Sequence, residues 1–481
     1  MRLLVIAVLL LLAGCAVGPD FRTPAAPATS RYTPDPQPVR TVSAGVAGGA
    51  AQEFVPDGDI PAEWWQLFQC KPLDDLVRRA LRASPTVAAA EATLRSAAEN
   101  YRGERGGLLL PTVDGTAAGT RERTSTASFG LPNFPPSTAN VYSASAQVSY
   151  NLDLFGGSRR QIESMRAQAD YQRWELEATR LTLTGNLVAA ALEIASLKAQ
   201  IAAVREIAAA DREQLAVTEH QFRVGAASHA DVLAQQAQLA QTEASLPVLE
   251  KQLAQAGDLL AVLAGETPDH VELPDLELDA LKLPVELPVS VPARLVRQRP
   301  DVQAAEAQLH QATAQVGVAT ANLYPTLSLT GSIGSDASAT QKLLGAGSGV
   351  WSAGASFTQP IFHGGQLRAQ RRAAIAAMDG SEAEYQQTVL QAMQQVADAL
   401  RALEADARHL AAEMAAEQSA RESLAIARRQ YAAGVNSQAA VLIAERQYQQ
   451  ARQSRVQAQA ARYADTATLF QALGGGWWNR T

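Results

Sequence analysis

Val141-Tyr142-Ser143-Ala144-Ser145-Ala146-Gln147-Val148-Ser149-Tyr150-Asn151-Leu152-Asp153-Leu154 alternates without a break, apolar at every even position from Tyr142 and polar at every odd position from Ser143 to Asp153. A period of two is the pattern of a strand with one greasy and one wet face. Leu327, Leu329 and Ile333 alternate with Thr326, Ser328, Thr330 and Ser332. Trp351, Ala353, Ala355, Phe357 and Ile361 alternate with Ser352, Gly354, Ser356 and Thr358, and Thr112 to Arg123 gives a weaker fourth candidate. Gly-, Ser- and Pro-rich stretches separate the members of each pair, so the strands come as two hairpins. Alternation over about ten residues marks the strands of outer-membrane barrels. Four strands cannot close alone, since transmembrane barrels start at about eight, and lipid offers no partner to an open edge. Copies of the same chain must supply the missing strands; two give eight and three give twelve, and a water-filled pore with a polar lining favours three. The competing reading is a soluble pair of hairpins packed on helices.

On either side of these hairpins the period changes to that of a coiled coil. Leu183, Leu187, Ala190, Ile194, Leu197, Ile201, Val204 and Ala208 alternate steps of four and three for about four heptads. Val389, Met393, Val396, Leu400, Leu403, Ala407, Leu410 and Met414 repeat the alternation in the second half. A helix from Gly157 to Val224 would be about 100 Å long at ~1.5 Å per residue. Gly225 and Gly434 can take positive φ and reverse these helices, and Ser228 and Ser437 are placed to cap the return helices by accepting free backbone N–H groups. The return helices run to about Leu263 and Leu473. Other stretches repeat as well: Ser84-Pro85-Thr86-Val87 with Ala90-Glu91 answers Arg299-Pro300-Asp301-Val302 with Ala305-Glu306, and Phe222-Arg223-Val224-Gly225 answers Tyr431-Ala432-Ala433-Gly434. The chain is a tandem duplication whose unit far exceeds the 20 to 50 residues of solenoid repeats. The expected fold is mainly α with a small β part, a doubled protomer of long antiparallel coiled-coil helices and four transmembrane strands.

Both ends are informative. Arg2, an apolar run from Leu3 to Leu12 and then Leu12-Ala13-Gly14-Cys15 read as a lipoprotein signal, too short for a span of about 20 residues. Cleavage leaves Cys15 as the acylated N-terminus, and several acyl chains together give stable anchoring; a plain secretory signal is the rival reading. The expected organisation is a signal at 1–14, a lipidated extended tether without a core at 15–60, a first repeat at 61–270, a linker at 271–298, a second repeat at 299–473 and a tail at 474–481. Trp64, Trp65, Leu67 and Phe68 lead into Leu73, Leu76, Val77 and Leu81 as a short amphipathic helix whose Trp pair docks it. Cys70 is the only other cysteine and reads as a packed small side chain. Against 48 acidic side chains the whole chain carries 41 basic ones, and loss of Arg2 leaves a balance of about −8, which disfavours a nucleic-acid partner. The six histidines are scattered, with no pair at ligand spacing, and there is no zinc-protease or phosphate-loop motif. No enzyme, cofactor or metal site follows.

Leu12-Ala13-Gly14-Cys15 with Val17-Gly18-Pro19-Asp20-Phe21, the Trp64-Trp65 pair, Leu152-Asp153-Leu154-Phe155-Gly156-Gly157, Pro360-Ile361-Phe362-His363-Gly364-Gly365 and the closing Leu473-Gly474-Gly475-Gly476-Trp477 resemble the outer-membrane factors of tripartite efflux pumps. The resemblance is to the OprM-like, NodT-type lipoproteins, relatives of TolC, and covers nearly the whole mature chain. It implies a homotrimer in outer-membrane lipid, with a twelve-stranded barrel and a twelve-helix periplasmic tunnel. A periplasmic adaptor and an inner-membrane transporter of the RND type would be its partners, and small molecules would pass through it unchanged. The resemblance also places the adaptor-contact tips at Val224, Gly225, Ser228, Gly434, Val435 and Ser437. It puts the periplasmic gate at Asp231, Tyr431, Asn436, Ala440 and Ile443, with a hydrogen bond from Tyr431 to Asp231 as a latch. Asn436 stands where some relatives carry arginine. Ala440 and Ile443 stand where relatives carry acidic rings, so a more apolar closure centred on Ile443 is expected, gating by dewetting. A protein-secretion duct and a non-conducting coiled-coil lipoprotein are the alternative functions.

Overall fold

The computed structural model describes residues 16–124, 137–270 and 275–480. The chain divides into two compact units: the chain up to Pro24 with Thr93–Gln172 and Ala304–Tyr385, and Ala25–Ala92 with Arg173–Gln303 and Gln386–Thr481.

The first unit is built on one antiparallel sheet of β2 (Thr112–Thr124), β3 (Ser137–Leu152), β5 (Thr326–Ala337) and β6 (Gly349–Thr358), in the order β2-β3-β5-β6. The register runs without a bulge, setting Val113 opposite Val148, Tyr150 opposite Leu329, Leu327 opposite Phe357 and Ile333 opposite Trp351. Side chains directly opposite one another share a face, so the alternating apolar residues of all four strands lie together on one side. Val113, Val148, Leu329, Ile333, Trp351 and Phe357 are exposed there. The other face is laced by hydroxyl and amide pairs: Thr112 with Ser149 at 2.7 Å, Thr116 with Ser145 at 2.9 Å, Ser332 with Ser352 at 2.8 Å, and Ser328 donating to Asn151 at 2.7 Å. The strand ends differ modestly from the sequence reading: β6 stops at Thr358 rather than continuing to Ile361, because Pro360 has no N–H to donate to a ladder.

Residues 17–21 are not a free tether. Val17 donates its N–H to the Phe155 carbonyl at 3.0 Å. Asp20 pairs with the buried Arg160 guanidinium at 2.5 Å, and Phe21 stacks on His310 at 4.2 Å between ring centroids. Gly18 sits at φ +95° against Gly317, where a Cβ would come within 2.5 Å of the Gly317 Cα.

The second unit is helical. It contains α1 (Lys71–Ala83), the start of α2 (Pro85–Leu109), most of α3 (Gly157–Arg223), α4 (His229–Ala264), α5 (Pro292–Gln298), the first residues of α6 (Pro300–Ala321), most of α7 (Gln366–Ala432) and α8 (Gln438–Ala472). All eight residues of the expected seam from Leu183 to Ala208 are buried. In α7, Val389, Val396, Leu400, Leu403, Ala407 and Leu410 are buried too, with Met393 and Met414 half-buried. By length and composition α3 contains a stretch apolar enough to cross a membrane, but 72% of that stretch is buried inside the protein, which makes it core. The amphipathic segment near the start is two helices: a single 3₁₀ turn at Trp64–Phe68 ends where Gln69 takes φ +49°, and α1 begins at Lys71. The Trp pair docks it, Trp64 against Phe470 at 5.6 Å and Trp65 Nε1 donating to Asp74 at 2.9 Å.

The expectation of a coreless segment before residue 60 is corrected in this unit as well. Short β1 (Glu53–Pro56) pairs in parallel with β4 (Glu286–Val289), and Phe54 and Ile60 are buried. The buried Gln52 amide donates to the Pro284 carbonyl at 2.9 Å and to Thr466 at 3.0 Å. Arg462, fully buried on α8, donates to the Ala50 carbonyl at 2.9 Å and to Gln52 at 3.2 Å. Locally β1 makes only an isolated bridge, Glu53 to Arg40, and its ladder partner lies more than two hundred residues away, which leaves no local period to read.

Candidate functional site at the helical tips

The two helix reversals are built the same way, and both lie in the second unit. Gly225 at φ +77° and Gly434 at φ +71° turn the chain after α3 and α7. The Ala226 N–H reaches back to the Gln221 carbonyl at 2.7 Å, and the Val435 N–H to the Gln430 carbonyl at 2.9 Å. These bonds satisfy carbonyls that the helix ends would otherwise leave open, the Schellman arrangement that glycine permits.

The caps differ between the repeats, and the difference decides what Asp231 does. Ser228 caps α4 by accepting from the Asp231 N–H at 3.2 Å, while the Asp231 carboxylate accepts from the Ser228 N–H at 2.9 Å and its hydroxyl at 2.7 Å. This reciprocal capping box turns the carboxylate back onto its own helix end, with both bonds falling on Oδ2. In the second repeat Ala440 has no carboxylate; Ser437 accepts from the Ala440 N–H at 3.4 Å, and Asn436 fills in, accepting from the Ser437 N–H at 2.9 Å and donating to Gln430 at 3.1 Å.

The expected hydrogen bond between Tyr431 and Asp231 is therefore absent within the chain. The Tyr431 hydroxyl donates instead to the Gln221 side-chain carbonyl at 2.8 Å. Burial pushes the Tyr431 phenol up from its ordinary pKa, and the negative charge of Asp231 adds to that, so the two residues feel each other without bonding. The sequence reading missed Gln221, because a glutamine one position before the repeated Phe222/Tyr431 site carries no motif of its own.

Val224 and Val435 stand out at the turns, with Val435 76% exposed, and Ile443 on α8 is 58% exposed. Gly225, Gly434, Ser228 and Ser437 are also exposed. Behind them the second hairpin closes on apolar contacts: Leu424, Ala427, Val441 and Ala444 form a buried cluster that Tyr431 and Tyr448 flank.

Between the hairpins the contacts are polar. Asp211 on α3 accepts from Gln449 on α8 at 3.3 Å across the seam, and from Thr242 on α4 at 2.7 Å within the first hairpin. Gln238 on α4 donates to Gln449 at 3.1 Å and accepts from Arg446 at 2.6 Å. Gln457 donates to Gln200 at 3.1 Å, and Arg452 pairs with Glu206. Within the second hairpin, buried Glu445 pairs with Arg428 at 2.7 Å. Burial pushes the carboxyls of Asp211 and Glu445 up, and Asp211 adds to the effect at Glu445. Gln200, Gln238, Gln449 and Gln457 thus sit in the seam between the two repeats.

Cys15 lies outside the described residues. Among the described residues no three His, Cys, Asp or Glu side chains come together as a metal site.

The family described as outer membrane efflux protein matches residues 76–266 and 291–475, one segment in each half of the chain. Over 478 residues the chain is 29% identical to the probable efflux pump outer membrane protein TtgC of Pseudomonas putida, covering 98% of this chain and 94% of that protein. It is 30% identical over 422 residues to the pyoverdine export outer membrane protein OpmQ of Pseudomonas aeruginosa, covering 86% and 87% of the two chains. The solved structure of the outer-membrane channel OprN is similar, with a TM-score of 0.85 at 28% identity over 96% of this chain and 100% of that one. With a family match across most of its length and relatives similar over nearly all of it, the chain belongs to the outer membrane efflux protein family and is an exit duct for efflux in the outer membrane, extending into the periplasm.

Proposed function

We propose that three copies of this chain assemble head to tail into a homotrimeric channel that carries small molecules out of the cell without changing them. The sheet carries this reading. Its four strands alternate in direction in the order β2-β3-β5-β6, so β6 runs opposite to β2. The β2 edge of a second copy can add to β6 as one more antiparallel strand. Such a contact joins two different edges and closes into a ring when the rotation permits, and three copies give the twelve strands of a barrel with a water-filled lumen. The exposed apolar face then meets lipid and the hydroxyl-laced face lines the pore.

On this reading the hairpin turns of the second unit are the periplasmic tips. Val224, Gly225, Ser228, Gly434, Val435 and Ser437 contact an adaptor, which joins the channel to an inner-membrane transporter of the RND type. Asp231, Tyr431, Asn436, Ala440 and Ile443 surround the gate, with Ile443 as an apolar constriction and Asp231 and Asn436 holding the caps that shape it. The Tyr431 to Gln221 bond ties the second-repeat hairpin to the first. Opening means parting the polar seam, whose bonds can be exchanged for bonds to water at about 0.5–1.5 kcal/mol net for a neutral pair and about 1.5–3 kcal/mol where Asp211, Arg446 or Arg452 takes part, while the apolar cluster inside the second hairpin stays intact. The two repeats, 61–270 and 299–473, supply the two hairpins of each protomer, and Cys15 carries the lipid anchor.

The test is to purify the full chain in detergent, determine its oligomeric state by native mass spectrometry, and measure conductance in planar bilayers. Trimers that give stepwise ion currents are expected. A stable folded monomer without conductance would overturn the proposal.

A further inference from the structure

The outward face of the sheet changes character at one level. Along β3 the apolar positions run from Leu152 to Tyr142, which is about 33 Å of strand at ~3.3 Å per residue and about 25 Å in height at the ~40° tilt of barrel strands. This is the height of the apolar band in outer-membrane barrels. Tyr142 lies opposite Gly119 on β2 and Ala337 on β5, and aromatic side chains mark the interface level of such bands. Immediately beyond it on the same face come Arg121, opposite Asn140, and Arg123, opposite Thr138. Both arginines are exposed. Lys342, also exposed, lies in the β5–β6 connection beyond Ala337.

The acids of this region take the other face. Glu122 falls between the two arginines, and Asp336 lies opposite Ser143, one of the polar-face positions of β3. The strand period thus sorts charge by side: cations outward above the apolar band, carboxylates inward. A solvated loop end has no reason to sort its charges in this way. Two arginines two residues apart on one strand face have their Cα atoms about 7 Å apart at ~3.4 Å per residue, close enough for their long side chains to donate to one phosphate or to neighbouring ones, and arginine presents its donors in the planar fork that suits phosphate.

We infer that Arg121 and Arg123 form a binding site for the phosphate groups of anionic lipids in the outer leaflet of the outer membrane. The inference rests on the reading that this sheet spans that membrane with its hairpin ends outward. The site fixes the height and rotation of the barrel wall at the leaflet surface, where each basic side chain contributes to attraction and salt weakens it.

The experiment uses the full chain in detergent micelles with a phosphorylated glycolipid or its enzymatically dephosphorylated form, scored by native mass spectrometry for retained lipid. Wild type is expected to hold the phosphorylated lipid at least tenfold more tightly than the dephosphorylated one, the scale set by about 1 kcal/mol per basic residue near a membrane surface. Arg121→Gln with Arg123→Gln should abolish that preference, whereas Glu122→Gln on the opposite face should keep it. Equal retention of both lipids by wild type overturns the inference, as does an unaltered preference in the double variant. Should that variant assemble poorly, the comparison of the two lipids on wild type decides alone. Bilayer conductance separates the two levels of the argument: currents without a lipid preference sink only the phosphate site, while absence of currents in any lipid sinks the membrane-spanning reading beneath it.

Discussion

Replacing Tyr431 by phenylalanine removes one hydroxyl and leaves the ring in place beside the buried cluster of Leu424, Ala427, Val441 and Ala444. The hydroxyl donates to Gln221 at 2.8 Å across the two repeats, and a neutral hydrogen bond of this kind is worth about 0.5–1.5 kcal/mol net. Tyr431 and Gln221 are only half-buried, so water can replace the lost partner and the lower part of that range applies, about 0.5–1 kcal/mol in each protomer. If three copies must part together to open the tip, the closed state loses about 1.5–3 kcal/mol, a rise of about 12- to 140-fold in open probability at ~1.4 kcal/mol per factor of ten. Single-channel recording in planar bilayers reads this directly. Gln221→Ala should give the same rise, and the double variant should add little to either. Asp231→Ala should behave otherwise, because its carboxylate completes the capping box of α4 around Ser228: with the Ser228 cap bond kept, its loss costs the lower part of the capping range, about 0.5–1 kcal/mol of helix stability, and should lower thermal stability more than it raises conductance. If Asp231→Ala opens the channel as strongly as Tyr431→Phe, and the two together do no more than either, the assignment of the tie to Gln221 is refuted.

Three other expectations follow from separate parts of the molecule. Ile333 lies on the apolar face near mid-height of the sheet and is 70% exposed, so Ile333→Arg should destabilise the inserted barrel by about 2–4 kcal/mol. Ser332→Arg on the lumen face should leave stability nearly unchanged and alter conductance; equal destabilisation by the two, measured by denaturant titration in vesicles, would refute the assignment of faces. Asp406, beside Asp465, has its carboxyl pushed up from 3.8 to about 7, by burial first and by Asp465 second, with the Arg462 charge opposing. The folded protein therefore holds a proton that the unfolded chain releases, so this contribution to stability is complete below about pH 4 and is lost as the pH rises through about 7. Asp406→Asn, which keeps the uncharged form, should flatten the fall in melting temperature across that window, and an unchanged slope would remove Asp406 as its source. Cys15→Ser should eliminate acylation, seen as loss of the lipid mass, while trimers still form; loss of trimers would show that the anchor is required for assembly.

The strands and the long helices were legible because each is periodic over a length that random sequence rarely sustains. The alternation in Val141–Leu154 and the coiled-coil steps from Leu183 and Val389 depend on local geometry alone, two residues per strand repeat and about three and a half per coiled-coil turn. The turns at Gly225 and Gly434 were legible for the same reason, since a reversed helix needs positive φ followed by a cap. Residues 16–60 misled because β1 and the buried contacts of Gln52 depend on β4 and α8, far away in sequence. The break at Gln69 was hidden because a non-glycine residue there takes a left-handed conformation.

The sequence alone determined the doubled architecture, the two-faced strands and the helical reversals, for these follow from periodicity and backbone chemistry within a few residues. Only the tertiary structure decided which side chain each polar group meets. Asp231 had two possible partners, its own helix end and the Tyr431 hydroxyl, and the local cap won because Ser228 lies three residues away on a turn already formed. Tyr431 was then left to Gln221, a pairing of residues 210 positions apart that exists only because folding brings the two repeats side by side.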